Sequence, residues 1–205
     1  MKKYKFFINL DKEEQWLNHM ARSGHAFVRK SVRYEFQPAE YDGSTIRIDY
    51  RTFKNRRDFE DYRTLFRDSG WEHISGSKGS GAQYFRKVGK EGSDDIFSDV
   101  DSKAGRYQRM SRMWLNLAVP YLPIFVALSM NGTIDSEALL QPKLLYLTEG
   151  LWDRSGIDFW KAFLFETPFA LMRGFLWAFF PITMILFAAF SLKAKKQYKL
   201  SKREE

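Results

Sequence analysis

The chain has 205 residues, a net charge of +8 and no cysteine. The lack of cysteine excludes disulfide scaffolds, thiolate zinc sites, iron–sulfur clusters and cysteine nucleophiles. With 19 phenylalanines, 10 tyrosines and 6 tryptophans, the chain is too aromatic for wholesale disorder.

The N-terminal region begins with a strand and a helix. The apolar run KFFINL (5–10) predicts a short strand. Asp11, followed three residues later by Glu14, has the pattern of a capping box, and Gly24 is a typical stop for the helix that follows. No cleavable signal peptide is expected, because this apolar run is short and leads directly into acidic residues.

Two further strands are predicted to form a hairpin. Apolar and polar residues alternate over 32–36 and again over 46–51, which is the pattern of half-buried strands. Between them lies PAEYDGS (38–44), with Asp42 and Gly43 at the tip of the predicted turn.

A second helix begins at Asn55 and ends at Gly70, and strands at 71–74 and 83–88 follow it around a glycine-rich tip. This order predicts an α+β domain with the ferredoxin-like β-α-β-β-α-β arrangement over residues 1–90. The segments SGHAFV and SGWEHI follow the two helices, which indicates a weak internal repeat.

Two uncharged apolar segments, 113–130 and 174–192, predict a transmembrane hairpin after a linker and the start of a membrane-entering helix at 91–112. Both are close to the roughly 20 residues needed to cross the hydrocarbon core. The alternative is a pair of buried core helices. Between the segments, residues 131–173 form the predicted extracytoplasmic loop, with an aromatic interfacial helix at about 159–171.

Positive charge flanks both segments on the same side, which predicts cytoplasmic termini, a basic cytoplasmic tail at 193–205 and a location in the bacterial cell (inner) membrane. Nucleic-acid binding is a weaker explanation of this charge. The residues assigned to membrane topology are Arg106, Arg109, Arg112, Lys193, Lys195 and Lys196.

Four blocks of sequence resemble a known bacterial family, the domain of unknown function 2812 (DUF2812). They are KKYKFFINLDKEEQWLNHMARSGHAF (2–27), RIDYRTFKNRRDFEDYRTLFRDSGWEHI (47–74), QYFRK (83–87) and DDIFSDVDSK (94–103). The resemblance covers about residues 1–112. It implies a cytoplasmic domain followed by hydrophobic segments, in Bacillus- or Clostridium-type bacteria and often beside a PadR-like regulator. The family has no established activity, so the resemblance implies no catalytic residues.

The sequence predicts no catalytic residue, cofactor or metal. Its three histidines lack metal-ligand spacing, and the Gly79-Ser80-Gly81 tip lies between strands, unlike a phosphate-binding loop. Strand positions 47, 49 and 51 share one face, where charges either bind a partner or pair across strands. The candidate partner or ligand surface contains Arg47, Asp49, Arg51, Arg56, Arg57, Trp71 and Tyr84.

These features favour a non-enzymatic sensor, regulatory or accessory membrane protein whose cytoplasmic domain binds a protein or small ligand. The expected partners are the lipid bilayer and either a protein or a second copy of the chain. The alternative function is a small subunit of a membrane transport or stress-resistance complex. A lipid-modifying enzyme is a third hypothesis that no catalytic motif supports.

Overall fold

A computed structural model describes residues 1–40, 43–88 and 93–203. The chain divides into two compact units. The first consists of Met1–Met113 and Phe190–Glu205, and the second consists of Trp114–Ala189. Each is described by itself below.

The structure is of mixed α+β class. Over the described residues, the α+β part contains six strands and two helices in chain order: β1 (Lys2–Lys3), α1 (Leu10–Arg22), β2 (His25–Lys30), β3 (Tyr34–Pro38), β4 (Ile46–Tyr50), α2 (Arg56–Asp68), β5 (Trp71–Ser75) and β6 (Ala82–Lys87). Three longer or apolar helices follow: α3 (Val100–Ala118), α4 (Tyr121–Met130) and α5 (Gly156–Ser201), with short 3₁₀ turns between α4 and α5.

The strands form two antiparallel three-stranded sheets, of order β1-β3-β2 and β4-β6-β5. The ferredoxin-like order is therefore not confirmed, and the predicted hairpin between 32–36 and 46–51 is not formed. Instead β3 pairs with β1 and β2, while β4 pairs with β6. Asp42, at the predicted turn tip, lies outside the described residues.

Two local boundaries differ from the sequence prediction. Helix α1 begins earlier than Asp11, because the Asn9 side chain accepts a hydrogen bond from the Lys12 amide at 2.9 Å and caps the helix. The strand predicted over 32–36 begins only at Tyr34, because the residues before it form the turn that joins β2 and β3 in a hairpin. Strong alternation on both sides of a tight turn resembles a single strand.

The predicted repeat is a repeated βαββ unit. Each half has a 13-residue helix capped by an asparagine, Asn9 or Asn55, and followed by a left-handed glycine, Gly24 or Gly70. In each half the first strand of the unit pairs with the last, and the strand after the helix carries a register shift. The two halves thus have the same topology.

An aromatic core fills each half. In the first, the Trp16 ring packs edge-on against Tyr34 and Phe36. In the second, Tyr62, Trp71 and Phe85 are buried together. The apolar face of each helix therefore covers its own strands.

The two predicted membrane segments lie in apolar helices. Helical segments Val100–Met130 and Gly156–Ser201 are long and apolar enough to cross a membrane, and only 6% of the most apolar window of each is buried. This low burial does not support the alternative of two core helices. The helical conformation is interrupted at Pro120, between α3 and α4. Helix α5 is continuous from Gly156, so the predicted interfacial segment 159–171 is part of the same helix as 174–192.

The glycine-rich tip between β5 and β6 provides a matched pair of substitutions. Gly81 has φ +77°, and a Cβ there would lie 2.5 Å from the buried Tyr50 ring, whereas a Cβ at Gly79 meets nothing within 4 Å. We expect Gly81→Ala to lower the free energy of unfolding by about 2–3 kcal/mol. Gly79→Ala is expected to change it by less than about 0.5 kcal/mol. Denaturant unfolding of both variants checks this, and equal losses would contradict it.

Candidate functional site

Strand β4 lies at the edge of its sheet, and side chains from two helices, together with Asp49 for the Tyr50 amide, satisfy its outward backbone groups. An edge strand normally presents unpaired N–H and C=O groups that can pair with another chain. Here Ile46, Ile48 and Tyr50 have outward groups, and each finds a side-chain partner. We call this arrangement the β4 edge.

Helix α1 covers the first part of the β4 edge. The Asn18 side chain accepts from the Ile46 amide at 2.7 Å and donates to the Ile46 carbonyl at 3.1 Å, as a neighbouring strand would. One turn earlier, Glu14 Oε1 accepts from the Ile48 amide at 2.9 Å. Helix α1 thus carries an amide and a carboxylate, four residues apart, that pair with β4.

Helix α3 covers the rest through two arginines one turn apart. Arg106 Nη1 donates to the Ile48 carbonyl at 2.8 Å, and Arg109 Nε donates to the Tyr50 carbonyl at 2.5 Å. Arg109 also donates from Nη2 to Asp49 at 2.6 Å. The planar guanidinium suits such double contacts, because its donors point in fixed directions.

Arg106 is fully buried, which is rare for an arginine unless it is paired. Its Nη1 contacts Glu14 at 2.5 Å and its Nη2 contacts Asp11 at 2.5 Å. Burial disfavours the guanidinium charge, but the two carboxylates outweigh it and raise the pKa of Arg106 above its ordinary value. Its Nε, also buried, has no hydrogen-bond partner among the residues that the structure describes. Asp11, predicted as a cap, instead serves as an ion-pair partner.

A second buried acid lies beside the first on α1. Glu13 Oε1 accepts hydrogen bonds from the hydroxyls of Tyr34 and Tyr84, both at 2.6 Å, and from Lys30 Nζ at 3.0 Å. Burial and the nearby Glu13 charge raise the pKa of both tyrosines, so both stay neutral donors. This cluster joins the two halves of the repeat, since Tyr34 is on β3 and Tyr84 on β6.

The residues of the candidate partner surface are not all at the surface: some are buried in the core and others are exposed. Asp49, Trp71 and Tyr84 are buried, and Asp49 accepts from the Tyr62 hydroxyl at 2.8 Å. These three are therefore unavailable to a partner in this form. The remaining members have the following positions: Arg47 is half-buried with its Nε 3.8 Å from Asp95, while Arg51, Arg56 and Arg57 are exposed.

The residues assigned to membrane topology also divide into two groups. Arg106 and Arg109 are held in the β4 edge, whereas the exposed members are Arg112, Lys193, Lys195 and Lys196. Their assignment as topology signals stays a prediction, since charge near a membrane segment acts during insertion.

The acidic linker is anchored to the domain. Residues 91–92 lie outside the described part, but Asp94 contacts Lys87 at 2.6 Å and Asp95 contacts Lys103 at 2.9 Å. Asp99 accepts from the Ser102 amide at 2.7 Å and so caps the start of α3. Among the residues that the structure describes, no group of three or more acidic or histidine side chains is arranged to hold a metal ion.

The second unit has a polar cluster of its own, in the first half of α5. The Glu166 carboxylate accepts from the Leu147 amide at 3.2 Å and from the Thr148 hydroxyl at 2.9 Å. Arg173 contacts both Glu166 and the Leu145 carbonyl. These contacts tie residues 145–148 to α5.

The half-buried His73 provides a pH-dependent test of the second sheet. Its Nε2 lies 2.9 Å from Gln83 Oε1, and burial lowers its pKa. Histidine in the unfolded chain has its ordinary pKa of 6.5, whereas His73 in the folded domain has a lower one. As the pH falls from neutral through 6.5, the unfolded chain therefore binds the His73 proton more strongly than the folded chain does, and we expect the free energy of unfolding to fall. The His73→Gln variant should lose this component, and exposed His19→Asn should keep it. Unfolding free energies across the pH range check both.

The sequence contains a signal for the buried acids of α1 that its predicted apolar face does not include. Glu13 and Glu14 both lie three or four positions from Leu10 and from Leu17. This spacing places the two acids on the same apolar face of the helix as the leucines. An acid on the buried face of a helix indicates an internal partner. The distant partners themselves have no local signal.

Comparison with known proteins gives one match. The family described as "Protein of unknown function (DUF2812)" matches residues 9–119, more than half of the chain. No curated protein and no solved structure matches the chain. The matched range contains α1, the β4 edge and both arginines of α3. The chain therefore belongs to the DUF2812 family of proteins of unknown function.

Proposed function

We propose that this protein is a membrane-anchored, non-enzymatic sensor, regulatory or accessory protein, whose cytoplasmic domain binds a protein or small ligand. The observation that carries the proposal is the attachment of α3 to the β4 edge through Arg106 and Arg109. The same helical segment supplies the first apolar stretch. Binding that alters β4 would thus act on a helix that enters the bilayer.

Charge and geometry make the β4 edge suitable for such coupling. Buried ion pairs have few alternative arrangements, because leaving one buried charge unpaired lowers the free energy of unfolding by about 3–5 kcal/mol. Asp49 contacts both Arg109 on α3 and Tyr62 on α2. A change at the exposed start of α2, near Arg56 and Arg57, therefore has a direct route to α3.

The membrane part of the proposal has two supports. The apolar windows are only 6% buried, so water would contact most of their apolar surface unless lipid or a partner covers it. The first unit contains residues from both flanks of the apolar region, Met1–Met113 and Phe190–Glu205. If both flanks lie on the cytoplasmic side of the bilayer, the chain between them must cross the bilayer twice, and the residues between the two crossings lie outside the cell membrane.

Single-cysteine labelling tests this topology, and the chain has no native cysteine to remove. Gln141 and Asp68 are both exposed. A membrane-impermeant maleimide should label Gln141→Cys in intact cells and Asp68→Cys only after permeabilisation. Labelling in the opposite order would reverse the topology, and equal labelling of both in intact cells would overturn it.

The coupling itself is tested by hydrogen exchange of the full chain in lipid nanodiscs. Arg109→Met removes the contacts to Tyr50 and Asp49, so amides of β4 should exchange faster. Under the proposal, exchange should also rise in 113–130. The matched control is Arg112→Met, an exposed arginine on the same helix, which should change neither region. Faster exchange confined to β4 would overturn the coupling.

One observation favours the second candidate, a small subunit of a membrane transport or stress-resistance complex. Two helices alone cannot enclose a transport path, and their exposed apolar surface leaves room for partner helices. Affinity purification of the full chain from its membrane in mild detergent, followed by mass spectrometry, separates the two. A stoichiometric transporter partner favours the subunit; a protein recovered alone favours the self-contained sensor.

A further inference from the structure

An exposed aromatic and basic segment forms the N-terminal surface of the first unit. The side chains of Tyr4 and Phe6 are 72% and 61% exposed. Lysines at positions 2, 3 and 5 alternate around them and are exposed as well. Contiguous apolar patches on a surface, especially beside polar residues, mark contact sites for proteins or membranes.

A second apolar side chain extends this surface. Val32 stands at the turn between β2 and β3 and is 87% exposed. Its neighbour Arg33 donates from Nη1 to the Tyr4 hydroxyl at 3.4 Å, so the turn and the N-terminal segment lie side by side. We call Tyr4, Phe6 and Val32, with Lys2, Lys3 and Lys5, the N-terminal patch.

One contact within the first unit places Phe6 beside the last residues of the second apolar segment. The rings of Phe6 and Phe190 lie 5.4 Å apart between centroids. Phe190 is the third residue from the end of the uncharged segment 174–192, and exposed Lys193, Lys195 and Lys196 follow it. Phe6 therefore lies beside the point where the apolar sequence gives way to lysine.

We propose that the N-terminal patch binds the surface of a bilayer that contains anionic lipids, with Tyr4, Phe6 and Val32 inserted among the headgroups and the lysines against the phosphates. This inference rests on the proposed membrane anchoring and adds a peripheral contact to it. Aromatic rings favour the headgroup region. Lysines near the surface are attracted to the anionic inner leaflet, and apolar insertion adds to that attraction.

Spin labels on the full chain in lipid vesicles test the proposal. Single cysteines replace Tyr4, Val32 and, as a matched exposed apolar residue on α2, Leu65. The ratio of oxygen to nickel-chelate accessibility reports depth in the bilayer. In phosphatidylcholine vesicles containing phosphatidylglycerol, Tyr4→Cys and Val32→Cys should give a severalfold higher ratio than Leu65→Cys. Ratios equal to that of Leu65→Cys would overturn the proposal.

Two further measurements separate the causes. Replacing Lys2, Lys3 and Lys5 with glutamine, or removing phosphatidylglycerol, should lower the ratio at Val32→Cys; an unchanged ratio would overturn the role of anionic lipid. Ile182→Cys, in the second apolar segment, must report the bilayer interior if the chain is anchored. A water-exposed Ile182→Cys would overturn the proposed function itself, whereas a buried one with a water-exposed patch would overturn only this inference.

Discussion

Replacing Arg106 with methionine is expected to lower the free energy of unfolding by about 3–5 kcal/mol, the cost of leaving buried charge without its partner. Methionine fills much of the arginine stem but leaves Glu14 buried and the Ile48 carbonyl without its guanidinium donor. Urea unfolding of the full chain in mild detergent, followed by near-ultraviolet circular dichroism, measures the change.

Two variants serve as controls for Arg106→Met. Arg112→Met removes an exposed arginine from the same helix and should change the free energy by less than about 0.5 kcal/mol. Arg106→Lys keeps the charge but cannot reach Glu14, Asp11 and the Ile48 carbonyl together, so its loss should be intermediate. If Arg106→Met cost no more than the roughly 0–1 kcal/mol of a surface ion pair, the β4 edge would not be a buried network.

The second large effect is expected at Glu13. In Glu13→Ala two buried tyrosine hydroxyls lose their acceptor, and each unsatisfied buried group costs about 1–3 kcal/mol. Lys30 loses its partner as well. We expect a total loss of about 3–5 kcal/mol, near the upper end for single substitutions.

Glu13→Gln is the matched variant, because its amide oxygen still accepts from Tyr34 and Tyr84. It loses only the charge that Lys30 contacts, so its cost should be clearly smaller than that of the alanine variant. A double-mutant cycle with Tyr84→Phe measures the coupling directly. Equal losses for the alanine and glutamine variants would mean that the carboxylate charge, and not its hydrogen bonds, stabilises the cluster.

Local sequence signals predicted the second half of the domain better than the first. Helix α2 begins after Asn55 and ends before Gly70, as predicted, because a side-chain cap and a left-handed glycine act on residues close to them in sequence. At α1 the same rules predicted Asp11 as the cap, whereas in the structure Asn9 caps the helix. The choice is settled by Arg106, a partner 95 residues away along the chain.

Strand pairing was predicted less well, for a physical reason. Alternation shows that residues 46–50 form a strand with one buried face, but the same pattern fits any antiparallel neighbour. The ferredoxin-like order assumed that β3 and β4 pair because they are adjacent in sequence. In the structure each strand pairs within its own half of the repeat, and α1 occupies the edge where β3 would have been.

The same limit applies to the candidate site. Asp49, Trp71 and Tyr84 have polar or amphipathic side chains of a kind often found at surfaces, and only their partners show that they are internal. Sequence does identify Arg106 and Arg109 as basic residues before an apolar segment. Their contacts with β4 carbonyls depend on an approach of two elements that are about 60 residues apart, 58 for Arg106 and 59 for Arg109.

The long separation between Glu14 and Arg106 also has a consequence for synthesis. Chains are made from the N-terminus, and domains generally fold in that order as they emerge. The β4 edge is completed only when Arg106 and Arg109 leave the ribosome, 92 residues after Glu14 in the case of Arg106. The apolar segment that starts at Met113 follows within a few residues. Completion of the β4 edge and emergence of the first apolar segment therefore fall at nearly the same moment of translation.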